Sequence, residues 1–191
     1  RDTEENVIIE RNPLWMPLPV AAFLVFFLLL QKPLEKISSR TVFSICAVIW
    51  FVAGTLLIYV SDVQLRADQE RIFYYAGQFS AGNYEGLLPN KYLGWCPYQL
   101  GILTWERLFL AIHATSRMLY MVNLVLAILI NYLSWKNMQL LSENNERYCK
   151  NLILLTFLFI PHFFYILFVY GQIPGLFFLE LALFLLLLWI K

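Results

Sequence analysis

Residues 42–60, VFSICAVIWFVAGTLLIYV, run for nineteen positions without a charged side chain. An α-helix needs about 20 predominantly apolar residues to cross the hydrocarbon core of a bilayer. This run meets that length, and its one glycine, Gly54, does not interrupt it. The run therefore predicts a membrane-spanning helix.

The composition of the whole chain agrees with a membrane protein. Of 191 residues, 60% are apolar, 17% are aromatic and 14% are charged, and the mean hydropathy is +0.64. Soluble domains are nearer half apolar and a quarter charged. The composition excludes a soluble enzyme and a disordered chain, and the net charge of +1 excludes a nucleic-acid binder. The expected fold is an all-α, polytopic bundle of transmembrane helices.

Further apolar runs lie on both sides of the first one. The candidate spans are residues 14–30, 42–60, 100–112, 118–135, 152–170 and 173–190. Pro17 and Pro19 shorten the uninterrupted part of the first candidate, so it is either a span or a re-entrant segment. We expect a single transmembrane domain over residues 1–191. Because the chain begins at Arg1 rather than at Met, we expect it to be a fragment of a longer protein.

Lysine and arginine in short loops predict the orientation of the helices. Loop 31–41 holds three basic residues and is expected in the cytoplasm, which places loop 61–97 outside the plasma membrane. Loop 136–151 is also basic, and it reaches the cytoplasm only if residues 100–112 lie in the membrane interface. The adjacent charges of Glu106 and Arg107 favour that arrangement, but a full crossing of residues 100–112 stays open.

The outer loop 61–97 contains a predicted amphipathic helix over residues 64–79. Apolar side chains recur there at i, i+3, i+4 and i+7, namely Ile72, Tyr75, Ala76 and Phe79. Gly82 and Asn83 should end the helix. We expect this helix to lie flat on the membrane, with Asp68 near its start and Asp62 at the membrane edge.

The second half of the outer loop, NYEGLLPNKYLGWCPYQLG, is rich in aromatic residues, glycine and proline. Aromatic side chains commonly anchor a protein at headgroup depth. They also offer flat faces on which sugar rings stack. Tyr84, Tyr92, Trp95 and Tyr98 therefore predict either interface anchors or a platform above a lipid-linked ligand.

Two strings carry a resemblance to a known family. The first is ADQERIFYYAGQFSAGNYEGLLPNKYLGWCPYQLGI, in which an Asp, an alanine, an aromatic residue and a small-residue turn occur as Asp68, Ala76, Phe79 and Gly82. It ends in Cys96-Pro97-Tyr98-Gln99-Leu100-Gly101, where the family pattern has Tyr-Pro-x-Gln-x-Gly. The second string is PHFFYILFVYGQIPGLFF, residues 161–178. Together they resemble bacterial polytopic glycosyltransferases of the C-type fold, which are similar to the dolichyl-phosphate-mannose protein mannosyltransferases.

The resemblance implies an inverting membrane glycosyltransferase of the cell envelope. Such an enzyme moves a sugar from a polyprenyl-phosphate donor to a hydroxyl of a glycan, lipid or protein acceptor on the outer side. The acceptor hydroxyl needs a base close to the water interface. The resemblance assigns this role to Asp68, with Asp62 as second choice or as an acceptor-orienting group. Each Asp also fits a structural role at a helix start, because Asp is favoured at the N-cap and in the first turn, where the helix dipole stabilises it.

The departing phosphate of such a donor needs positive charge or amide donors. The predicted substrate-binding residues are Gln99, Tyr98, Tyr92, Arg71, Arg66, Lys91 and Arg107. Gln99 and Tyr98 either contact the donor or cap the helix that follows Pro97. Arg107 either reaches the phosphate or extends toward the headgroups.

The remaining polar residues support rival functions. No cluster has the spacing of metal ligands, so we predict no cofactor, and Asp62 with Asp68 is the one candidate pair for a divalent cation. Glu180 lies within a candidate span, which is typical of transporters and flippases, unless a partner elsewhere neutralises it. His162 and Asn123 fit structural hydrogen bonding, and three scattered cysteines, Cys46, Cys96 and Cys149, do not indicate a disulfide framework. A non-catalytic membrane scaffold is the third alternative.

Overall fold

The structure is a computed structural model that describes residues 17–61 and 63–191, and every regular element in these residues is helical. The all-helical prediction is thereby confirmed for the described part of the chain. The α-helices are α1 (Pro17–Leu34), α2 (Ser39–Val60), α3 (Asp68–Ser80), α4 (Tyr92–Trp95), α5 (Leu100–Leu110), α6 (Ser116–Leu141), α7 (Glu146–Phe157), α8 (Ile160–Phe164) and α9 (Gln172–Ile190). Short 3₁₀ turns occupy Glu85–Leu87, Pro97–Gln99 and Tyr165–Leu167.

The described residues divide into two compact units, one that ends at Ser38 and one that begins at Ser39. The first unit contains α1, an apolar helix of 18 residues. Its prolines, Pro17 and Pro19, fall in the first turn, where backbone N–H groups have no partner inside a helix. They therefore begin the helix rather than interrupt it. The second unit contains α2 to α9.

Four of the described helices, α1, α2, α6 and α9, are long and apolar enough to cross a membrane. Helix α5 has 11 residues and is not among them. At 1.5 Å per residue it is about 16 Å long, roughly half the thickness of the hydrocarbon core. The helix alone is therefore shorter than a full crossing, and the topology of residues 100–112 stays a prediction.

The segment predicted as a span over residues 152–170 is not one continuous helix. Helix α7 and the segment Ile160–Leu167, which begins with α8, meet at an angle of 54°. Pro161 lies in the first turn of α8. A proline cannot donate a backbone hydrogen bond, so a helix ends before it. The two helices can still form a single bent span.

A side chain of α6 compensates for the irregular backbone after this bend. The amide nitrogen of Asn123 donates to the carbonyls of Ile166 and Phe168, at 3.3 and 3.2 Å. His162, in contrast, leaves its Nε2 atom buried and without a hydrogen-bond partner among the described residues. Asn123 therefore supplies hydrogen bonds of the kind that the sequence suggested for His162.

Helix α6 packs against α2, α7 and α9 and forms the centre of the second unit. The start of α2 is held by α7, because the Glu146 carboxylate accepts hydrogen bonds from the Ser39 backbone N–H and hydroxyl, at 2.6 and 2.9 Å. Further along, the Trp50 indole donates to the Phe157 carbonyl at 2.9 Å. These bonds join both ends of α7 to α2.

The carboxylate of Glu180 has a partner within this chain. Its Oε2 accepts a hydrogen bond of 2.7 Å from the side-chain amide of Asn137, across the interface between α6 and α9. A hydrogen bond between helices satisfies a polar group that would otherwise face an apolar environment. Glu180 thus has a structural role in joining the two helices.

We expect Asn137→Ala to lower the free energy of unfolding by about 0.6–2 kcal/mol, because the Glu180 carboxylate loses its donor. The measurement is denaturant unfolding of the protein in detergent micelles. The control is Ser44→Ala, which removes only a bond within α2, from the hydroxyl to the Arg40 carbonyl. Equal stability of the two variants would contradict a stabilising role for the Asn137–Glu180 bond.

The amphipathic helix of the outer loop begins at Asp68, four residues later than predicted, and Gly82 follows it with φ of 80°. Its apolar face is not free to lie on a membrane. Ile72, Ala76 and Phe79 are buried, and the helix packs against α5. The pattern correctly indicates an apolar face, but that face contacts another helix of the same chain.

Candidate functional site

Asp68 lies at the start of α3 and contacts a distant part of the chain. Its Oδ2 atom accepts a hydrogen bond of 3.2 Å from the hydroxyl of Tyr170. The N-cap position of α3 is Ala67, not Asp68, and no described side chain caps the helix there. Asp68 is therefore not the N-cap residue, but it lies in the first turn, where the helix dipole favours a carboxylate, and its hydrogen bond is made to another part of the chain.

Tyr170 also contacts Gln99, at the entrance to α5. The Gln99 amide nitrogen donates to the Tyr170 hydroxyl, and the side chain of Gln99 is buried, with 4% of the residue exposed. An amide nitrogen can only donate, so the hydroxyl accepts from Gln99 and directs its own proton to Asp68. The three side chains form one ordered relay, from Gln99 through Tyr170 to Asp68.

The turn that carries Tyr170 is fixed on both sides. The backbone N–H of Val169 donates to the side-chain oxygen of Gln69 at 3.0 Å, next to the Asp68 contact. Gly171 follows with φ of 91°, in the left-handed region that glycine occupies without strain, and α9 begins directly after it. The start of α3 and the start of α9 are therefore joined through this turn.

Tyr92, in the aromatic part of the outer loop, also lies next to Asp68. Burial, followed by the nearby Asp68 carboxylate, raises the pKa of Tyr92 well above its usual range. Its hydroxyl is buried and has no hydrogen-bond partner of normal geometry among the described residues. Tyr92 thus remains a neutral phenol beside Asp68 and Tyr170.

The ring of Tyr92 forms part of a wall of aromatic and basic groups. The Arg71 guanidinium lies 5.3 Å from its centre, a cation–π distance, and the ring of Tyr75 is parallel to it at 6.1 Å. Beside them is an open pocket of about 510 Å³. Its lining residues are Glu70, Arg71, Tyr74, Tyr75, Asn90, Lys91, Tyr92 and Trp95. A volume of several hundred Å³ is typical of small-molecule sites.

The other predicted site residues do not line this pocket. Tyr98 is 76% exposed and lies close enough to Tyr170 and Asp68 to interact with them electrostatically, whereas Arg66 is exposed in the segment before α3. Arg107 is half-buried, with its guanidinium 6.0 Å from the centre of the Phe79 ring, so it packs on α3 rather than toward the pocket. Asp62 lies outside the described residues, and its predicted role stays a prediction.

The described residues bring together no cluster of metal-ligating side chains. Within residues 17–61 and 63–191, no group of three or more histidine, cysteine, aspartate or glutamate side chains could hold a metal ion. The three cysteines, Cys46, Cys96 and Cys149, carry free thiols. The pair of Asp62 and Asp68 stays a prediction, because Asp62 is not described.

Tyr170 is the residue that sequence reasoning missed. It is the point at which Asp68 and Gln99 meet, although it is 102 positions away from Asp68 in the chain. The available signal was the polar string Tyr-Gly-Gln, residues 170–172, between two apolar runs. A polar string between two apolar runs is typical of a turn, and Tyr170 lies in the turn between Leu167 and the start of α9.

Comparison with known proteins does not assign a family or a function to this chain. No protein-family model matches the chain, and no curated protein and no solved structure matches it.

Proposed function

We propose that this chain is part of a membrane glycosyltransferase that uses a polyprenyl-phosphate sugar donor. The observation that supports the proposal most is the Asp68 carboxylate, which accepts a hydrogen bond from Tyr170 and lies beside Tyr92, a residue of the aromatic and basic pocket. The helices that are long and apolar enough to span a membrane would hold the lipid tail of the donor. Loop 61–97 would then face the outer side of the plasma membrane.

In this proposal Asp68 acts as the general base. It removes the proton of the acceptor hydroxyl as the oxygen attacks the anomeric carbon of the sugar. A new C–O bond forms, the bond from the sugar to the phosphate oxygen breaks, and the phosphate leaves with the electron pair. The proton ends on Asp68, and one such displacement inverts the anomeric centre. The Tyr170 hydroxyl orients the carboxylate for this step.

The pocket would bind the charged part of the donor. Arg71 and Lys91 offer positive charge to the departing phosphate, which stabilises the charge that develops there. Tyr75 and Trp95 offer aromatic faces to a sugar ring. Arg66, Tyr98 and Arg107, in contrast, lie outside the residues that line the pocket.

A transporter of a lipid-linked substrate is less well supported. Its main support in the sequence was Glu180, which pairs with Asn137 between two helices. A scaffold without catalytic activity would tolerate changes of the outer carboxylates and of Tyr170.

The direct test is sugar transfer in membranes that contain the full-length protein, with a panel of labelled polyprenyl-phosphate hexoses. We expect release of polyprenyl phosphate together with a labelled acceptor. Movement of the labelled lipid between leaflets without any transfer would favour the transporter. Neither transfer nor movement with any donor would leave the scaffold as the better explanation.

Tyr170→Phe tests whether the Tyr170 hydroxyl contributes to sugar transfer, and it changes the structure very little. It removes one hydroxyl and with it the bonds to Asp68 and Gln99, and hydrogen bonds to charged groups contribute about 1.5–3 kcal/mol. We expect the transfer rate to fall about 10- to 100-fold, since 1.4 kcal/mol corresponds to a factor of ten. The control is Tyr148→Phe, at an exposed position of α7. Full activity of the Tyr170 variant would remove the relay from the mechanism.

A further inference from the structure

Glu106 is a buried carboxyl group that the proposed reaction does not use. Only 1% of the residue is exposed, and neither carboxylate oxygen has a hydrogen-bond partner among the described residues. It lies in α5, outside the helices that are long enough to span a membrane. An ionised carboxylate in this position would be strongly disfavoured, because nothing replaces the water that it loses.

The carboxyl borders a small cavity between α5, α6 and the turn before α9. The cavity has a volume of about 10 Å³, enough for one water molecule. Its polar wall is the side chain of Asn123, and Val169 and Gly171 form the wall on the side of the turn. The remaining lining is apolar.

No other titratable group lines this cavity among the described residues. The ionisable side chains of the surrounding elements have other contacts. Arg107 of α5 lies over Phe79, Arg117 of α6 over Tyr59, and the Tyr120 hydroxyl donates to the Val63 carbonyl. Asp68 of α3 accepts from Tyr170 of the turn, and Glu180 of α9 from Asn137. Burial alone raises the pKa of Glu106, to about 8.

The cavity adjoins the turn that carries Tyr170, the central residue of the relay. Val169 and Gly171, which line it, are the two neighbours of Tyr170. Asn123, on the opposite wall, holds the carbonyls of Ile166 and Phe168 immediately before them. Any change that enlarges the cavity therefore acts on the turn that directs Tyr170 toward Asp68.

We propose that Glu106 is a positioning residue whose neutral, protonated carboxyl keeps this turn, and with it Tyr170, in place. Loss of the proton puts an uncompensated negative charge against apolar walls. One water molecule is too little to solvate that charge, so the cavity must enlarge, and the turn, which is not part of a helix, is the wall that moves. The Tyr170–Asp68 bond breaks as a result. The effect on turnover rests on the proposed function, whereas the protonation and the structural change do not.

The first measurement is thermal unfolding of the full-length protein in detergent at a series of pH values. Folded Glu106 retains its proton where the unfolded chain has lost it, so stability falls as the pH rises from about 4.5 to about 8. Glu106→Gln should remove this decline, because the amide cannot ionise. Glu143→Gln, which removes one exposed carboxylate, should retain it. An unchanged pH dependence in Glu106→Gln would overturn the proposal.

Infrared spectroscopy tests the same group without relying on the stability of a variant. We expect the carbonyl band of a protonated carboxylic acid at neutral pH, lost at alkaline pH and absent from Glu106→Gln. If that variant does not fold, the wild-type band alone decides, and its absence at neutral pH overturns the proposal. Stabilisation of the wild type by sodium but not by choline at alkaline pH would show a cation ligand instead, and would also overturn it.

The pH profile of sugar transfer separates the two proposals. We expect the wild-type rate to fall about tenfold one pH unit above the pKa, and the Glu106→Gln rate to stay level there. If no donor is transferred, the unfolding and infrared results still decide the role of Glu106. If transfer occurs but both enzymes share one alkaline profile, Glu106 loses its positioning role while the proposed function stands.

Discussion

Asp68→Asn is expected to lower the rate of sugar transfer about 10²- to 10⁴-fold, the usual contribution of a general base. The amide has nearly the same shape as the carboxylate and can still accept a hydrogen bond from Tyr170, so the start of α3 should remain in place. It cannot take the proton of the acceptor hydroxyl. Binding of the donor should change little, because the phosphate and the lipid are held by other groups. The loss should therefore appear in kcat rather than in KM.

The control for this variant is Glu143→Gln, at matched expression in the same membranes. It removes one negative charge from an exposed turn after α6 and should transfer sugar at the wild-type rate. Full activity of Asp68→Asn would exclude Asp68 as the base, and Asp62→Asn would then be the next variant to measure. Loss of both expression and activity would instead indicate a structural role for the carboxylate.

Gly94→Ala should disrupt the part of the outer loop that carries Tyr92. A Cβ atom at position 94 would lie 2.1 Å from the carbonyl oxygen of Leu88 and 3.0 Å from the Cα of Pro89. Both are backbone atoms, so a side-chain rotation cannot relieve the clash. We expect a loss of about 1–3 kcal/mol in the free energy of unfolding. Transfer should also fall, because the loop has to move away from the pocket.

The matched control for Gly94→Ala is Gly77→Ala in α3. A Cβ atom at position 77 has no described atom within 4 Å outside its own helical surroundings. Alanine should favour the helix there by about 1 kcal/mol. Thermal unfolding in detergent and limited proteolysis of the loop compare the two variants. Equal stability of both variants would show that the loop adapts at position 94.

The main helices could be predicted from the sequence because each is a long apolar run. Their ends were less predictable. Helix α6 continues to Leu141, beyond the predicted end of the apolar run at Trp135, because polar residues such as Lys136 are good helix formers. Its start is marked by Thr115, whose side chain accepts from the Met118 backbone N–H. Hydropathy detects the apolar centre of such a helix but not its polar ends.

The candidate site could be predicted only in part. The outer loop was recognisable as informative, and Asp68, Gln99 and Tyr92 do come together. Their meeting point, Tyr170, could not be deduced, since no local pattern states which distant residue a carboxylate will face. The burial of Glu106 was unpredictable for the same reason. Two adjacent charges in a short apolar run suggest an exposed interface, whereas the packing of α3 and α6 around α5 encloses one of them.

The bond between Asp68 and Tyr170 can form only late in the synthesis of this chain. The two residues are 102 positions apart, and the neighbouring Gln69–Val169 bond joins residues 100 positions apart. At a translation rate of 5–20 residues per second, Tyr170 leaves the ribosome roughly 5–20 seconds after Asp68. During that interval the start of α3 has been made without the turn that holds it. The carboxylate is therefore oriented only after α6, α7 and α8 have been synthesised, and a ribosome that stalls before residue 170 yields a chain without the relay.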